Sequence, residues 1–250
     1  MNLVNFNLSG TNPFLNLATE EYFLSQASKE ESNIYIFFYK NSNSVILGKS
    51  LHIEQELFLH KKIPPVIKRG SGGGTIVHFP GNMNYGIILN TKYYNDFYNI
   101  SNSYKQILTI IMNSLPKKYQ YSIKGISDIV INYQNKLLKI SGNSQLRKGA
   151  WMLHHGTLIF NSKYQKKISY YLQQPRKQPE YRSNRNHAHF LSKNILLKTP
   201  ELIQKNILNN FAKTFQLHLC LKNIDFYTSS NDFYEFKKSY VQNRLQKIKK

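Results

Sequence analysis

The chain reads as an α+β protein, with a mixed, mostly antiparallel sheet and flanking helices. Two observations predict this. Short runs of β-branched and aromatic residues are joined by brief turns, so neighbouring strands pair locally. Longer stretches with apolar residues at helical spacing intersperse with them. There is no internal repeat and no low-complexity tract to suggest another architecture.

Asn12-Pro13 starts the first helix, with proline at the first helical position, where its missing N–H is not needed. Phe14, Leu17, Ala18 and Tyr22 give that helix one apolar face as far as about Ser28. Residues Ile34 to Tyr39 and Val45 to Leu47 read as strands around an Asn/Ser turn. Ile53 to Lys62 reads as a short helix stopped by Pro64-Pro65. Strands follow at Val66 to Lys68, Thr75 to Phe79 and Tyr85 to Leu89. Ser101 to Leu115 is an amphipathic helix ended by Pro116. Asp128 to Asn132 and Leu137 to Ile140 bracket a polar turn, and Trp151 to Phe160 is a further strand. Gln173 to Asn194 is irregular, polar and basic. Pro200 to Phe215 is helical, Leu217 to Leu221 is a short apolar strand, and Phe233 to Ile248 is an amphipathic helix with a basic outer face.

The length of 250 residues suits one domain, or one domain with a small appendage. We expect a catalytic unit over residues 1–192 and a small helical C-terminal extension over 193–250, packed on the same unit. No apolar run is long enough to span a membrane, and the N-terminus lacks a basic-then-apolar signal pattern, so a cytoplasmic protein is expected. A single cysteine, Cys220, excludes an internal disulfide and any multi-thiolate metal site. The net charge is +21, from 34 basic and 13 acidic residues, which attracts polyanions. The basic residues scatter rather than forming one tract. That favours a generally basic surface over a base-reading module, and an acidic carrier protein plus a nucleotide would use it equally well.

The segment Lys68 to Asn84 carries the strongest signal: KRGSGGGTIVHFPGNMN. Three adjacent glycines let backbone approach a ligand closely, and their N–H groups can face anionic oxygens. Arg69 adds a fork that suits a carboxylate or a phosphate. The loop has neither the Lys-Ser/Thr ending of a P-loop nor the spacing of a dinucleotide fingerprint, so alone it supports an anion-binding loop or a tight hairpin. The second informative segment is Ser127 to Phe160, SDIVINYQNKLLKISGNSQLRKGAWMLHHGTLIF. The adjacent His154 and His155 invite a metal reading. Neighbouring strand residues point to opposite faces, so they cannot readily share one ion, and at most one, His155, faces a site.

Together these segments resemble the lipoate–protein ligase family, which shares its core with biotin ligases and octanoyltransferases. The resemblance lies in Arg69, Ser71 to Gly74, Thr75, His78 and Gly81-Asn82. It continues in Asp128, in Lys139-Ile140-Ser141-Gly142-Asn143-Ser144 and in His154 to Leu158. The opening Asn12-Pro13-Phe14-Leu15-Asn16-Leu17-Ala18, with Glu20-Glu21 behind it, is similar to the family's first helix. The blocks occur in the family's order across roughly residues 1–190. The resemblance implies a biotin/lipoate ligase-like catalytic domain. It implies an ATP-dependent ligase that makes an acyl-AMP from lipoate or octanoate and passes the acyl group to a lysine of a carrier domain.

The resemblance gives Lys139 the catalytic role. One ammonium can contact the α-phosphate and the acyl carbonyl oxygen together and stabilise the charge that builds in the transition state. Arg69, Gly72, Gly73, Gly74 and Thr75 would bind the adenylate, with Ile76, Val77 and His78 along the same stretch. Asn84, Ser141, Gly142, His155 and Gly156 complete the expected binding set. Gly142 would let the strand bend close to the ligand. Asp128 could hold Mg²⁺ or the nucleotide, or simply cap the start of its strand. His78 could be structural or chemical. The family often has an acid after this histidine, where Phe79 stands here.

The implied cofactors are ATP and Mg²⁺, with lipoate as substrate. The implied partners are lipoyl carrier domains of 2-oxoacid dehydrogenase complexes or the glycine cleavage H protein. A separate accessory subunit is a further expectation, because the segment after Lys193 is smaller than the family's usual accessory domain. Two alternatives stand: a lipoyl or octanoyl transferase using preformed acyl-AMP or an acylated carrier, and a basic nucleic-acid-binding protein. Octanoyltransferases of the superfamily use a cysteine in or near the active-site loops. Cys220 lies far beyond the motifs in an apolar strand, so it reads as a structural thiol. The stretch Gln173 to Phe190, with Arg176, Arg182, Arg185, His187 and His189, is dense enough in cations to close over nucleotide or dock the acceptor.

Overall fold

The computed structural model describes residues 1–27, 32–59, 62–160, 165–175, 178–190, 200–222 and 228–246. Among these residues the chain builds two sheets. The larger has eight strands: β1 (Asn2–Leu8), β2 (Ile34–Tyr39), β6 (Asn82–Asn90), β7 (Tyr121–Lys124), β8 (Asp128–Tyr133), β9 (Lys136–Lys148), β10 (Trp151–Ile159) and β11 (His218–Leu221). Their spatial order is β11-β1-β2-β6-β10-β9-β8-β7. β1 is parallel to both β2 and β11, and every other pairing in this sheet is antiparallel. The smaller sheet joins β3 (Ser44–Leu47), β4 (Val66–Lys68), β5 (Ile76–His78) and β12 (Leu245–Gln246) in the order β12-β4-β3-β5. The sheet is therefore mixed and mostly antiparallel, as expected.

Helices cover both faces of the larger sheet, which explains why β2 reads IYIFFY with no polar alternation: all six residues are buried. Ile34, Ile36 and Phe38 face one core with α3 (Ile100–Asn113) and α6 (Pro200–Phe215). Tyr35, Phe37 and Tyr39 face the other with α1 (Pro13–Gln26) and α7 (Asn231–Arg244). Asn12 caps α1, accepting from the N–H groups of Phe14 and Leu15, with Pro13 following as expected. Three short helices complete the set: α2 (Ile53–Glu56), α4 (Gln165–Tyr171) and α5 (His187–Phe190).

The structure corrects several boundaries. The helix expected over Ile53 to Lys62 ends at Glu56, because Leu57 is extended and bridges to Leu172. The strand expected over Leu137 to Ile140 runs on to Lys148, because β10 pairs with its continuation from Ser141 to Lys148. Three elements carry no clear sequence signal: β1, β7 and α4. The last helix stops at Arg244, where Leu245 turns extended to pair with Ile67, so the C-terminal segment supplies strands as well as helices. The expected boundary at 192/193, Arg176 and Ile248 lie outside the described residues. β11 forms an edge of the larger sheet, so its Leu221 is 75% exposed and Cys220 is only half-buried.

The α6 helix sends Ile203, Ile207 and Phe211 into the first core. Phe211→Ala should destabilise the fold by about 3–5 kcal/mol. Denaturant unfolding should show one transition shifted to lower midpoint. A second, separate transition would mean that α6 unfolds as a unit of its own.

Candidate functional site

A cavity of about 370 Å³ lies between the two sheets. Part of its lining is apolar: Val77, Phe79, Ile168 and Leu172 belong to one core cluster, with Ile159 packed against it. The polar part carries Asp128, Lys139, Asn143, Ser144, Arg182 and His187. The Gly loop contributes Gly73, Gly74 and Thr75.

Lys139 reaches the polar part because of a β-bulge. Val130 pairs with Lys139, but the next residue back, Ile129, pairs with Ser141. Ile140 is therefore the extra residue, and the alternation of β9 resets there. Lys139 and Gly142 consequently share the cavity face, although they are three apart. A Cβ at Gly142 would lie 2.9 Å from Lys139 Nζ, so the lysine lies across the bare glycine. It ends 2.9 Å from Asp128 Oδ1, on the strand alongside. The other carboxylate oxygen accepts a 2.6 Å hydrogen bond from Tyr181, in the polar stretch after α4. Asp128 is thus the counter-ion of Lys139, with its second oxygen held by Tyr181. Among the described residues no three His, Cys, Asp or Glu cluster, and one carboxylate beside substrate phosphates is the kind of site Mg²⁺ uses.

Arg69 differs from expectation. Its guanidinium is 6% exposed and is absorbed by the loop it stands in. Nε donates to Ser71 Oγ at 2.9 Å, and Nη1 to the carbonyl of Ile46 at 3.3 Å. Nη2 donates to the carbonyls of Gly72 and Gly74 at 2.5 and 2.9 Å. Four of its five N–H groups are thus engaged, leaving little for a phosphate or carboxylate. Arg69 shapes the loop rather than gripping the ligand. Burial pulls its pKa down to about 10, so it stays charged at neutral pH. Gly73 takes φ +84°, a conformation that suits glycine, and Gly72 carbonyl also accepts from Ser144 Oγ at 2.8 Å. Thr75 Oγ1 donates to Glu56 Oε2 at 2.6 Å, so α2 holds the far end of the loop.

His155 lines the cavity, and His154 lies on the other face of β10, completely buried against Tyr85 and Tyr104. His155 Nδ1 faces Glu20 Oε2 at 3.0 Å, and its Nε2 faces Ser71 Oγ at 2.6 Å. This Glu-His-Ser connectivity resembles a nucleophilic triad. Ser71 is 1% exposed, lies outside the cavity lining and already accepts from Arg69, so the chain of bonds is a strut under the Gly loop.

His78 is structural too. Asn41 Nδ2 donates to its Nδ1 at 2.9 Å, so the ring hydrogen sits on Nε2 and points to Thr157 Oγ1 at 3.2 Å. Thr157 in turn donates to Asn84 Oδ1 at 2.8 Å.

Of the expected residues, Lys139, Arg69, Gly73, Gly74, Thr75, Ile76, Val77, His78, Asp128, Gly142, His155 and Gly156 line the cavity. Gly72, Asn84 and Ser141 do not. Asn84 and Ser141 are buried behind the wall, and Gly72 turns its carbonyl to Arg69 and Ser144. Glu56 carries no signal in the sequence, and the bonds of Ser144 to the Gly72 carbonyl and of Tyr181 to Asp128 appear only in the fold. The basic stretch after Gln173 does reach the cavity, through Arg182 and His187. Its arginines also knit the stretch together: Arg182 Nε donates to the carbonyl of Arg185, and Arg185 Nε to that of Arg182.

Two predictions follow from this wall. Burial holds His78 and His154 at about pH 3, with Arg69 adding to the shift for His78 and His155 for both. Unfolding frees them to titrate near their ordinary 6.5, so the unfolded chain binds more protons between these values. Stability present at pH 7 should be lost as the pH falls below about 6.5, by at most about 1.4 kcal/mol per pH unit per histidine. Thermal melts at pH 7 and pH 5 check this, and His154→Gln should shallow the decline. A Cβ at Gly48 would lie 2.0 Å from the carbonyl oxygen of Gly73. Gly48→Ala should therefore displace the loop and cost about 1–3 kcal/mol; an unchanged melt would show that the loop yields freely.

Residues 12–211 match the family model described as the lipoyl protein ligase A/B catalytic domain. The chain is 34% identical over 155 residues to lipoate–protein ligase 1 of Staphylococcus aureus, covering 61% of this chain and 44% of that protein. It thus spans about half the length of the curated relatives it matches. Among solved structures, Plasmodium falciparum LipL1 in complex with lipoate superposes with a TM-score of 0.74 at 19% identity, covering 100% of this chain and 76% of that one. The bi-partite lipoate protein ligase of Thermoplasma acidophilum, described with its E2 lipoyl domain, gives 0.73 at 16% identity over 96% and 91%. A lipoate-protein ligase A bound with ATP gives 0.70 at 15% identity over 96% and 94%. These likenesses establish the fold, and the match over residues 12–211 establishes that the chain belongs to the lipoyl protein ligase A/B catalytic-domain family.

Proposed function

We propose that this chain is the catalytic unit of a lipoate–protein ligase. The observation that carries the reading is Lys139, laid across Gly142 in the polar lining of a cavity that also has an apolar wall. That layout suits an amphipathic acid: hydrocarbon against Val77, Phe79 and Ile168, carboxylate toward the ammonium. The relatives' names support lipoate and ATP as the ligands.

In the first step an acid oxygen attacks the α-phosphorus of ATP and pyrophosphate leaves with the bond electrons. Lys139 contacts the non-bridging oxygens as their charge grows. Its ion pair with Asp128 holds it ready, and the incoming phosphate competes for it. In the second step the ε-amine of a carrier lysine attacks the acyl carbonyl. AMP leaves with the bond electrons, and the attacking amine gives up one proton to solvent. The same ammonium stabilises the carbonyl oxygen. Proximity and fixed charge supply the rate, with no covalent intermediate on the protein. Mg²⁺ enters this reading as the counter-ion of the triphosphate.

We further read the acceptor as an acidic lipoyl carrier domain, of a 2-oxoacid dehydrogenase complex or the glycine cleavage H protein. The +21 charge would speed that encounter. The Thermoplasma ligase is called bi-partite, which supports a separately encoded accessory subunit here. Residues 193–250 would then belong to the catalytic unit itself. Among the described residues no helix is long and apolar enough to cross a membrane.

The test is to incubate the pure protein with ATP, Mg²⁺, lipoate and an apo lipoyl domain, and to weigh the domain. A lipoyl mass gain is expected, and Lys139→Ala should slow it about 10²–10³-fold. A gain only with supplied lipoyl-AMP would make the chain a transferase that depends on a partner. A gain without ATP from an acylated carrier, lost in Cys220→Ala, would overturn the adenylate route. Added salt should slow transfer more than adenylation. Equal salt dependence of the two steps would remove the role given to the net charge.

A further inference from the structure

The C-terminal helix is wired to the Gly loop through one half-buried carboxylate, Glu21. α7 packs on α1, with the rings of Phe233 and Phe236 edge-on to Tyr22 at 5.1 and 5.4 Å. Its Tyr240 is buried among Leu17, Ala18, Ile46 and Ile67. From there the helix reaches Glu21, the α1 residue that faces the start of the loop. Glu21 Oε1 accepts from the backbone N–H of Gly70 at 2.8 Å and from the Tyr240 hydroxyl at 3.2 Å. Glu21 Oε2 accepts from Arg244 Nη2 at 3.0 Å. A Cβ at Gly70 would lie 2.8 Å from the Glu21 carboxylate, so the loop backbone comes as near as a residue without a side chain allows. Directly after Arg244, β12 pairs with β4, the strand that leads into the loop.

Nothing in the adenylation chemistry uses Glu21, which does not line the cavity. Yet its oxygen holds the peptide between Arg69, which braces the loop carbonyls, and Ser71, which bonds His155. We infer that Glu21 is a positioning residue: with Tyr240 and Arg244 it lets α7 fix the entry of the Gly loop, and so sets how tightly the site binds its acid and nucleotide. The Arg244 guanidinium also offsets a negative charge that would otherwise stand behind a loop meant for anions. Lys139 sits on the other sheet and is untouched. Loss of the link should therefore weaken substrate binding more than the chemical step.

This rests on the proposed acyl-adenylate site, so the test carries a readout that does not. Amide hydrogen exchange at Gly70 and the KM and kcat for adenylation would be measured in wild type, Glu21→Ala, Glu21→Gln and Arg244→Ala. In Glu21→Ala, Gly70 should exchange about tenfold faster while β2 amides keep their protection. KM for the acid should rise about tenfold with kcat within about twofold. Glu21→Gln keeps an acceptor for Gly70 and should hold its exchange near wild type. Arg244→Ala should move both readouts in the direction of Glu21→Ala by a smaller step. Unchanged Gly70 exchange in Glu21→Ala, or a fall in kcat at constant KM, would overturn the inference. If wild type makes no acyl-adenylate, the proposed function fails, and Gly70 exchange alone decides whether α7 positions the loop. If Glu21→Ala does not fold, Arg244→Ala and Tyr240→Phe, each removing one bond to Glu21, decide it.

Discussion

The shape of the cavity depends on a cation whose hydrogen bonds go mostly to the wall itself. A glycine-rich loop has little reason to hold one shape, since glycine loses the most backbone freedom on folding. Arg69 supplies the reason. Its planar fork collects two loop carbonyls, a loop hydroxyl and the carbonyl of Ile46 in the neighbouring strand. Such charge-assisted bonds are about twice as strong as neutral ones, and here they are out of water. The carbonyls turn inward to the guanidinium, so the loop's N–H groups are the polar atoms left for a ligand. Around Arg69 the other supports fall into place: His155 and Glu20 beneath Ser71, Ser144 on Gly72, and Glu56 on Thr75.

Much of this was legible in the residues, and the failures share a cause. β2, β3, β4 and β5 fell within a residue or so of their expected bounds, because their apolar runs sit between turn residues. The helices α3 and α6 were legible from their spacing. β1 was missed because Asn2, Asn5 and Asn7 disguise its apolar residues, and only its neighbours β2 and β11 make it a strand. α4 was missed because its amphipathic signal is confined to two turns, and it is Ile168 and Leu172 under the cavity that hold it. Elements stabilised by what lies next to them in space leave little mark on their own sequence.

The site shows the same division. Its residues could be listed from the two segments, but their duties could not. Arg69 looked like a ligand group and is absorbed by loop carbonyls, and Asp128 is paired with Lys139 and Tyr181. Whether a charged residue faces a ligand depends on which partners the fold delivers to it. Those partners come from β3, β9 and the stretch beyond α4. The bulge at Ile140 is a second case. In LLKISG strict alternation would put Lys139 and Gly142, three apart, on opposite faces, and the bulge in the pairing of β8 with β9 brings them to one.

The path by which the chain closes on itself bears on when it becomes competent. β1 is made first, yet its outer neighbour β11 is made after residue 217. The Gly loop is complete by residue 75, yet its anchors Tyr240 and Arg244 and its outermost strand pairing come from residues 240–246. Domains begin to fold while synthesis is still under way, N-terminal parts first. A chain halted before residue 240 would hold the apolar wall of the cavity, the lysine and the loop, but with the loop's entry loose. Collapse around the aromatic core and the fixing of the loop's entry are thus separable events, and the second waits for α7 to dock.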